Sequence, residues 1–220
     1  ISDSKFERTN FNSTIIGQVV IKNTQFQKNK FTYSEWEDVE LHESDFSNSE
    51  ANNTVFLGIE ILNVTFDDSK LTSTDLTESI IQNSSFNSVS LSYSEMSDSK
   101  ITNSNFVDCD CNNITADDSS MNNVNFNESN LSSTDFSKSE IESSSFDETE
   151  LPYASFSRSK ISDSSFTDAT MNNVDFSRST LINIDFTGSN LSGADFSRSK
   201  LISVKFEETQ FQEIKDTFDR

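Results

Sequence analysis

The sequence holds few of the residues that usually interrupt or cross-link a chain, with four glycines, one proline and two cysteines among 220 residues. Two cysteines are too few for a disulfide framework. Four glycines exclude the glycine-rich calcium-binding nonapeptide repeats. His42 is the only histidine, so zinc sites and catalysis that need several histidines are excluded. No stretch approaches the ~20 apolar residues that a membrane span needs, and no membrane partner is expected.

Hydrophobic residues are also scarce, at 32%, and the net charge is −21. This balance indicates disorder when a sequence has no pattern. Here a pattern is present, because every fifth residue from Ile1 to Phe211 is apolar. Of the 20 phenylalanines, 19 fall in this five-residue frame, which predicts a packed core.

The identities of these apolar residues repeat again every twenty positions. The column that contains Ile1 is aliphatic through Leu201, and the column five residues later is phenylalanine throughout. A five-residue period within a twenty-residue period predicts four-sided coils stacked on one another, about eleven in number. With ~4.8 Å between coils, the stack would measure about 50 Å and the phenylalanine rings could pair along it. The predicted structural core is the column Phe6, Phe26, Phe46, Phe66, Phe86, Phe106, Phe126, Phe146, Phe166, Phe186 and Phe206.

The residues around each apolar centre divide into inward and outward positions. The residue two before the centre is nearly always small, and no acidic or basic residue occupies it or any centre. This position is therefore predicted to face inward, with serine and threonine hydroxyls bonded to neighbouring backbone. Cys109 and Cys111 occupy inward positions and are predicted to be buried thiols in a reducing compartment. The residue two after the centre is asparagine ten times, which predicts left-handed turns with laddered amides.

Several five-residue units match a known motif: a small residue, Asp or Asn, Leu or Phe, and two polar residues. Clear examples are residues 44–48 (SDFSN), 134–138 (TDFSK) and 194–198 (ADFSR). In these units the chain resembles the pentapeptide-repeat family from residue 1 to about 213. The resemblance implies an all-β fold, the right-handed quadrilateral β-helix, over residues 1–213. Residues 214–220 are predicted to form a C-terminal cap or the start of a helix, since Phe211, Ile214 and Phe218 have helical spacing.

Acidic residues dominate the outward positions, with 18 between residues 35 and 120 against Lys70 and Lys100. Two sides of the coil carry most of them. One interpretation is that the acidic surface imitates a DNA duplex, and the other is that acidity keeps the protein in solution. The candidate acidic partner surface is Asp38, Asp67, Asp68, Glu78, Asp98, Asp108, Asp117, Asp118, Glu128, Asp147 and Glu148.

A basic edge runs along four later coils. Like charges stacked in neighbouring coils repel one another. An aspartate lies three residues before three of these bases, and Asp135, Asp175 and Asp195 are therefore predicted to be their ion-pair partners. The alternative is contact with an anion or a partner. Tyr33, Tyr93 and Tyr153 form another column at intervals of sixty residues, predicted to pack along the edge or to form a sticky strip for a protein. The candidate basic edge is Lys138, Arg158, Lys160, Arg178, Arg198 and Lys200.

These features predict a non-enzymatic, cytoplasmic, protein-binding rod without a cofactor or metal. The acidity resembles that of Qnr-type members of the family, which implies a DNA-handling partner such as DNA gyrase and no direct contact with nucleic acid. Those members carry loops that interrupt the repeat, and no insertion does so here. The alternative is a scaffold or adaptor domain of a larger protein, for example a bacterial secreted effector. The uncovered first coil at Ile1 favours preceding chain or an end-to-end dimer.

Overall fold

A computed structural model describes residues 1–207, which form a four-sided β-solenoid. Its ten strands lie in one parallel sheet, in sequence order from β1 to β10. The fold class is therefore the one that the five-residue frame predicts. The strands are β1 Ile15–Lys22, β2 Glu35–His42, β3 Glu60–Leu62, β4 Ile80–Gln82, β5 Lys100–Thr102, β6 Ser120–Asn122, β7 Glu140–Glu142, β8 Lys160–Ser162, β9 Thr180–Ile182 and β10 Lys200–Ile202.

Every coil pairs with the next in a constant register of twenty residues. Ile61 lies opposite Ile81 in the sheet, and single parallel bridges such as Thr65 with Ser85 repeat the same offset on the other sides. Nine complete turns separate β1 from β10, somewhat fewer than the eleven coils predicted for residues 1–213. The chain before β1 contributes only isolated bridges. The predicted cap at 214–220 lies outside the described residues.

The first two strands are longer than the others, and the first is rich in β-branched residues. β1 contains Ile15, Ile16, Val19, Val20 and Ile21. Its pairing with β2 continues on both sides of the corner at Gln18, whereas the later strands begin only after the equivalent corner. The β-branched side chains of β1 favour extended backbone. The strands after β2 have three residues each.

The phenylalanine column is the spine of the core. Nine of its eleven rings are buried, and Phe6 and Phe206 at the two ends are partly buried. Successive rings stack with centroids 4.7 to 5.4 Å apart, within the range in which aromatic rings attract. A second run, from Phe136 to Phe196, stacks at 5.1 Å and meets the first edge-on. The predicted core is confirmed.

The small inward residues satisfy their hydroxyls on the backbone, as predicted. Ser69 is 2% exposed, and its Oγ donates to the carbonyl of Phe46 at 2.9 Å. The same oxygen accepts from the amide of Ser49, one coil earlier, at 3.0 Å. Each such serine therefore links two coils without leaving a buried polar atom unsatisfied.

All 41 residues two after a centre, from Asp3 to Ser203, have left-handed backbone, and only three of them are glycine. Asparagine accepts this conformation more readily than most residues. The amide of Asn123 donates to Oδ1 of Asn103 at 2.9 Å, and the amide of Asn103 donates to Asn83 at 3.2 Å. The predicted asparagine ladder is confirmed on this edge.

The two cysteines correct one prediction. Cys109 and Cys111 are buried as expected, but they form a disulfide with Cα atoms 5.4 Å apart. Both side chains point inward on either side of Asp110, which places the sulfurs within bonding distance. They are therefore not free thiols.

Candidate binding surface

The candidate acidic residues lie on two ridges rather than on one surface. Two corners ten residues apart in a twenty-residue coil are diagonally opposite, and each ridge follows one such corner. We call them the first and second acidic ridges. The first consists of Asp67, Asp68, Asp108, Glu128, Asp147 and Glu148, and the second of Asp38, Glu78, Asp98, Asp117 and Asp118.

Within each ridge the corner residues are exposed, and the residues just before them are half-buried. Asp67 illustrates the half-buried kind. Its Oδ1 accepts from the hydroxyl of Ser85 at 2.6 Å and from the amide of Asn87 at 2.8 Å, both in the next coil. Such carboxylates are fixed by the coil, and the corner carboxylates extend into solvent beside them.

Hydrogen bonds lower the pKa of two half-buried ridge carboxylates, Asp147 and Asp117. Partial burial raises the pKa of Asp147, but bonds from Ser165, Thr167 and Ser145 outweigh it, and the net pKa is below the ordinary value. For Asp117 the hydrogen bond from the Ser97 hydroxyl, at 2.7 Å, lowers the pKa most. Asp147 and Asp117 therefore stay ionised near neutral pH.

The negative charge is concentrated in the middle coils. Residues 35–150 contain 25 acidic and three basic side chains, whereas residues 1–34 contain two and five, and residues 151–207 contain six of each. The two ridges lie inside this middle block. Its net charge of −22 accounts for the whole charge imbalance of the protein.

A shallow groove of ≈ 440 Å³ crosses the first ridge, and five carboxylates line it without any basic residue. Asp108, Glu128 and Glu148 come from the ridge. Asp110 and Glu150 were not among the predicted site residues, although their position two residues after a corner in the same frame could have revealed them. The groove is suited to the cationic side chain of a partner.

Within residues 1–207, no group of histidine, cysteine and acidic residues has the geometry to hold a metal ion. His42 is half-buried. Its Nε2 lies 3.4 Å from a carboxylate oxygen of Glu40 and 3.8 Å from one of Glu60. In the same part of the chain no helix has the length and apolarity needed to cross a bilayer.

The basic edge differs from its predicted ion-pair scheme. Lys138 lies 2.7 Å from Asp118, and Lys160 lies 2.5 Å from Glu140, so these two bases pair with the preceding coil. Asp135, Asp175 and Asp195 instead accept backbone amides two residues ahead, at 2.7 to 2.9 Å. Over residues 1–207 no ion pair is formed by the remaining bases of the edge, Arg158, Arg178, Arg198 and Lys200.

The tyrosine column does not pack along its edge as predicted. Tyr33, Tyr93 and Tyr153 are 66%, 63% and 69% exposed. In the described chain their rings take part in no ring pair, and their hydroxyls make no hydrogen bond. They are free surface groups.

Comparisons with known proteins agree with this geometry. A model described as a pentapeptide repeat region matches residues 59–136, 79–156 and 119–196, and a model of eight pentapeptide repeats matches residues 179–215. Neither description names a catalytic activity. No curated protein sequence matches the chain.

Two solved structures share the fold. QnrB1, a plasmid-mediated fluoroquinolone resistance protein, is 17% identical with a TM-score of 0.56, over 92% of this chain and 95% of its own. HetL of the cyanobacterium Nostoc sp. strain PCC 7120, involved in heterocyst differentiation regulation, is 12% identical with a TM-score of 0.50. That match covers 90% of this chain and 87% of HetL. At these identities the likeness concerns the fold alone.

Proposed function

Because the chain belongs to the pentapeptide repeat family, we propose that it is a non-enzymatic rod that binds a DNA-handling protein, such as DNA gyrase, by imitating a duplex. The observation that carries the proposal is the block of negative charge in the middle coils. A partner that normally grips DNA through a basic groove would accept this block instead.

The charge density of the block supports this mechanism. Residues 35–150 make nearly six coils, which at ~4.8 Å per coil measure about 28 Å. A B-DNA duplex of that length carries about 16 phosphate charges. The net charge of −22 over the same residues exceeds that number.

The arrangement of the ridges supports it as well. A duplex presents two phosphate strands on either side of its axis, and the solenoid presents carboxylates on two diagonally opposite corners. Glu78, Asp98 and Asp118 illustrate their spacing, with one exposed corner carboxylate in each of three successive coils of the second ridge. A groove or clamp that surrounds the rod would contact both ridges together.

The absence of catalysis is part of the proposal. The carboxylates that could act as acids or bases lie on open ridges and in a shallow groove, without the enclosed pocket in which catalytic groups are usually held.

The proposal is tested by gyrase supercoiling assays and by binding measurements at 50 and 500 mM salt. We expect inhibition or protection of gyrase at micromolar protein and a complex that dissociates as salt rises, since phosphate-like contacts are screened. A variant with the four substitutions Asp68→Asn, Asp108→Asn, Glu128→Asn and Glu148→Asn should bind at least tenfold more weakly. Asparagine suits left-handed backbone, so these changes should preserve the coil.

A matched control changes the same net charge on another side of the coil, through Asp3→Asn, Glu43→Asn, Glu142→Gln and Asp163→Asn. If the two variants weaken binding equally, the first ridge has no special role. If the wild-type protein neither changes gyrase activity nor binds gyrase at either salt concentration, the gyrase proposal is wrong.

A further inference from the structure

A few outward residues recur at an interval of sixty residues, or three coils. Residues 32–91, 92–151 and 152–211 can be aligned without a gap. Each unit has 36 outward positions, and only five keep the same residue in all three units. These are Tyr33, Tyr93 and Tyr153; Asn52, Asn112 and Asn172; Asn53, Asn113 and Asn173; Asn63, Asn123 and Asn183; and Asp75, Asp135 and Asp195.

The coil itself accounts for three of the five. The aspartates accept backbone amides, as Asp75 does from Thr77 at 2.9 Å. Asn53 and Asn63, with their equivalents, occupy left-handed corners, where asparagine is favoured. Asn52 accepts from the amide of Thr72 at 3.0 Å, but its equivalent Asn112 instead donates to the hydroxyl of Ser92 at 3.1 Å. The backbone therefore explains the aspartates and the corner asparagines.

The backbone does not account for the tyrosines. Their φ angles are +58°, +62° and +62°, in a region that bulky side chains enter at a cost. Their rings are about two-thirds exposed. Each tyrosine adopts an unfavourable backbone conformation and exposes an aromatic ring to water. Because this combination recurs at three equally spaced positions, it indicates a binding role.

The tyrosines belong to a surface without charge. Two adjacent columns contain no acidic or basic residue over ten coils, in a protein of net charge −21. We call this surface the uncharged strip. Apart from Ser92, which lies in the same column but is buried, it consists of Asn12, Ser13, Thr32, Tyr33, Asn52, Asn53, Thr72, Ser73, Tyr93, Asn112, Asn113, Ser132, Ser133, Pro152, Tyr153, Asn172, Asn173, Ser192 and Gly193.

The rings of the uncharged strip are evenly spaced along a line. Neighbouring coils lie about 4.8 Å apart, in keeping with the 4.8 Å between the rings of Phe86 and Phe106. Three coils therefore separate successive tyrosines by about 14 Å. Hydroxyl and amide groups fill the two coils between one ring and the next.

We propose that the uncharged strip binds an extended, uncharged polysaccharide along the axis of the solenoid. The apolar face of a pyranose ring stacks on an aromatic ring, and sugar hydroxyls exchange hydrogen bonds with serine, threonine and asparagine side chains. One sugar unit of an extended chain advances by close to one coil. Every third sugar can therefore stack on a tyrosine.

A protein partner fits the uncharged strip less well. Protein interfaces concentrate their binding energy in a packed central cluster that excludes water. Rings about 14 Å apart on a convex, hydrophilic edge cannot form such a cluster. A linear ligand with its own repeat matches the strip without a cluster.

Affinity electrophoresis in gels containing hydroxyethyl cellulose or glucomannan tests the proposal. We expect retardation of the wild-type protein by at least one of them, unchanged between 50 and 500 mM salt. The triple variant Tyr33→Asn, Tyr93→Asn, Tyr153→Asn should lose at least tenfold in affinity. Asparagine is the residue of the neighbouring corners, so the variant should be as stable as wild type.

Two measurements keep the result specific. Leu57→Ser removes an exposed apolar side chain from another side and should leave retardation unchanged. Calorimetric titration should give cellohexaose at least tenfold higher affinity than cellotriose, because only the longer chain reaches two tyrosines. The proposal is overturned if neither polysaccharide retards the protein, if the triple variant binds like wild type, or if the strip binds only a protein. None of these outcomes bears on the gyrase proposal, which depends on salt and on the acidic ridges.

Discussion

The ring of Phe86 lies parallel to the ring of Phe106, with centroids 4.8 Å apart and planes 5° from parallel. Both side chains are essentially inaccessible to solvent. The same relationship continues on either side, to Phe66 and Phe126, at 5.0 Å. Each ring therefore stabilises two neighbours, and the coils depend on one another for their stability.

Phe86→Ala should lower the free energy of unfolding by about 3 to 5 kcal/mol, since it removes a buried ring and leaves a cavity. Phe86→Asp should unfold the middle coils, because it places an unpaired charge in the core. Thermal and urea denaturation followed by circular dichroism measure both effects. An unchanged thermal midpoint in either variant would contradict the role of the column.

Two substitutions of Asn103 distinguish the contribution of the amide ladder to stability from that of the left-handed corner. Asn103→Gly removes two exposed side-chain hydrogen bonds and keeps the favourable backbone, so it should cost about 0.5 to 1 kcal/mol. Asn103→Ala removes the same two hydrogen bonds but keeps a Cβ at φ +51°, so it should cost roughly 1 kcal/mol more than Asn103→Gly. Urea denaturation of the pair measures the difference. If alanine is as stable as glycine, the corner conformation is not limiting.

Asp147→Asn should destabilise the protein by about 1 kcal/mol at pH 7, because a charged acceptor of several hydrogen bonds becomes neutral. The pKa of Asp147 is lower in the folded protein than in the unfolded chain. Its stabilisation is therefore present above the ordinary aspartate pKa of ~3.9 and is lost as pH falls through the folded value. Urea midpoints of wild type and variant, measured from pH 7 down to pH 2, should approach each other once pH falls below the ordinary aspartate pKa of ~3.9. A difference as large at pH 2 as at pH 7 would contradict the ionic contribution.

Reducing the disulfide between Cys109 and Cys111 should change stability only slightly. The loop that it closes spans three residues, for which loop entropy gives a contribution below about 2 kcal/mol. Melting curves with and without reductant, with thiol titration to confirm reduction, measure the change. Unfolding on reduction would show that the bond does more than constrain a short loop.

The sequence predicts the inside of this molecule well. Centre residues such as Phe86 and inward serines such as Ser69 are buried where the five-residue frame places them, since only apolar and small residues fit inside a narrow coil. The frame also assigns Asp68 and Asp118 to opposite corners. Periodicity is sufficient for these features because each position has the same environment in every coil.

The side-chain pairings on the surface could not be predicted in the same way. Asp175 lies near Arg178 in sequence, yet its carboxylate accepts the amide of Ser177. A fixed backbone donor competes better for it than a long, hydrated guanidinium. The disulfide of Cys109 and Cys111 depends likewise on side-chain directions at one corner, which spacing alone does not give.

Because the register is a constant twenty residues, the number of coils can change without changing the kind of contact between neighbouring coils. Removing residues 101–120 would place Met121 on Ile81 and Phe126 on Phe86, which are the same kinds of contact that the present coils make. Removing nineteen would misalign every later side chain. Evolution and protein engineers can therefore shorten or extend this protein by whole coils, and so adjust its reach to a partner of different size.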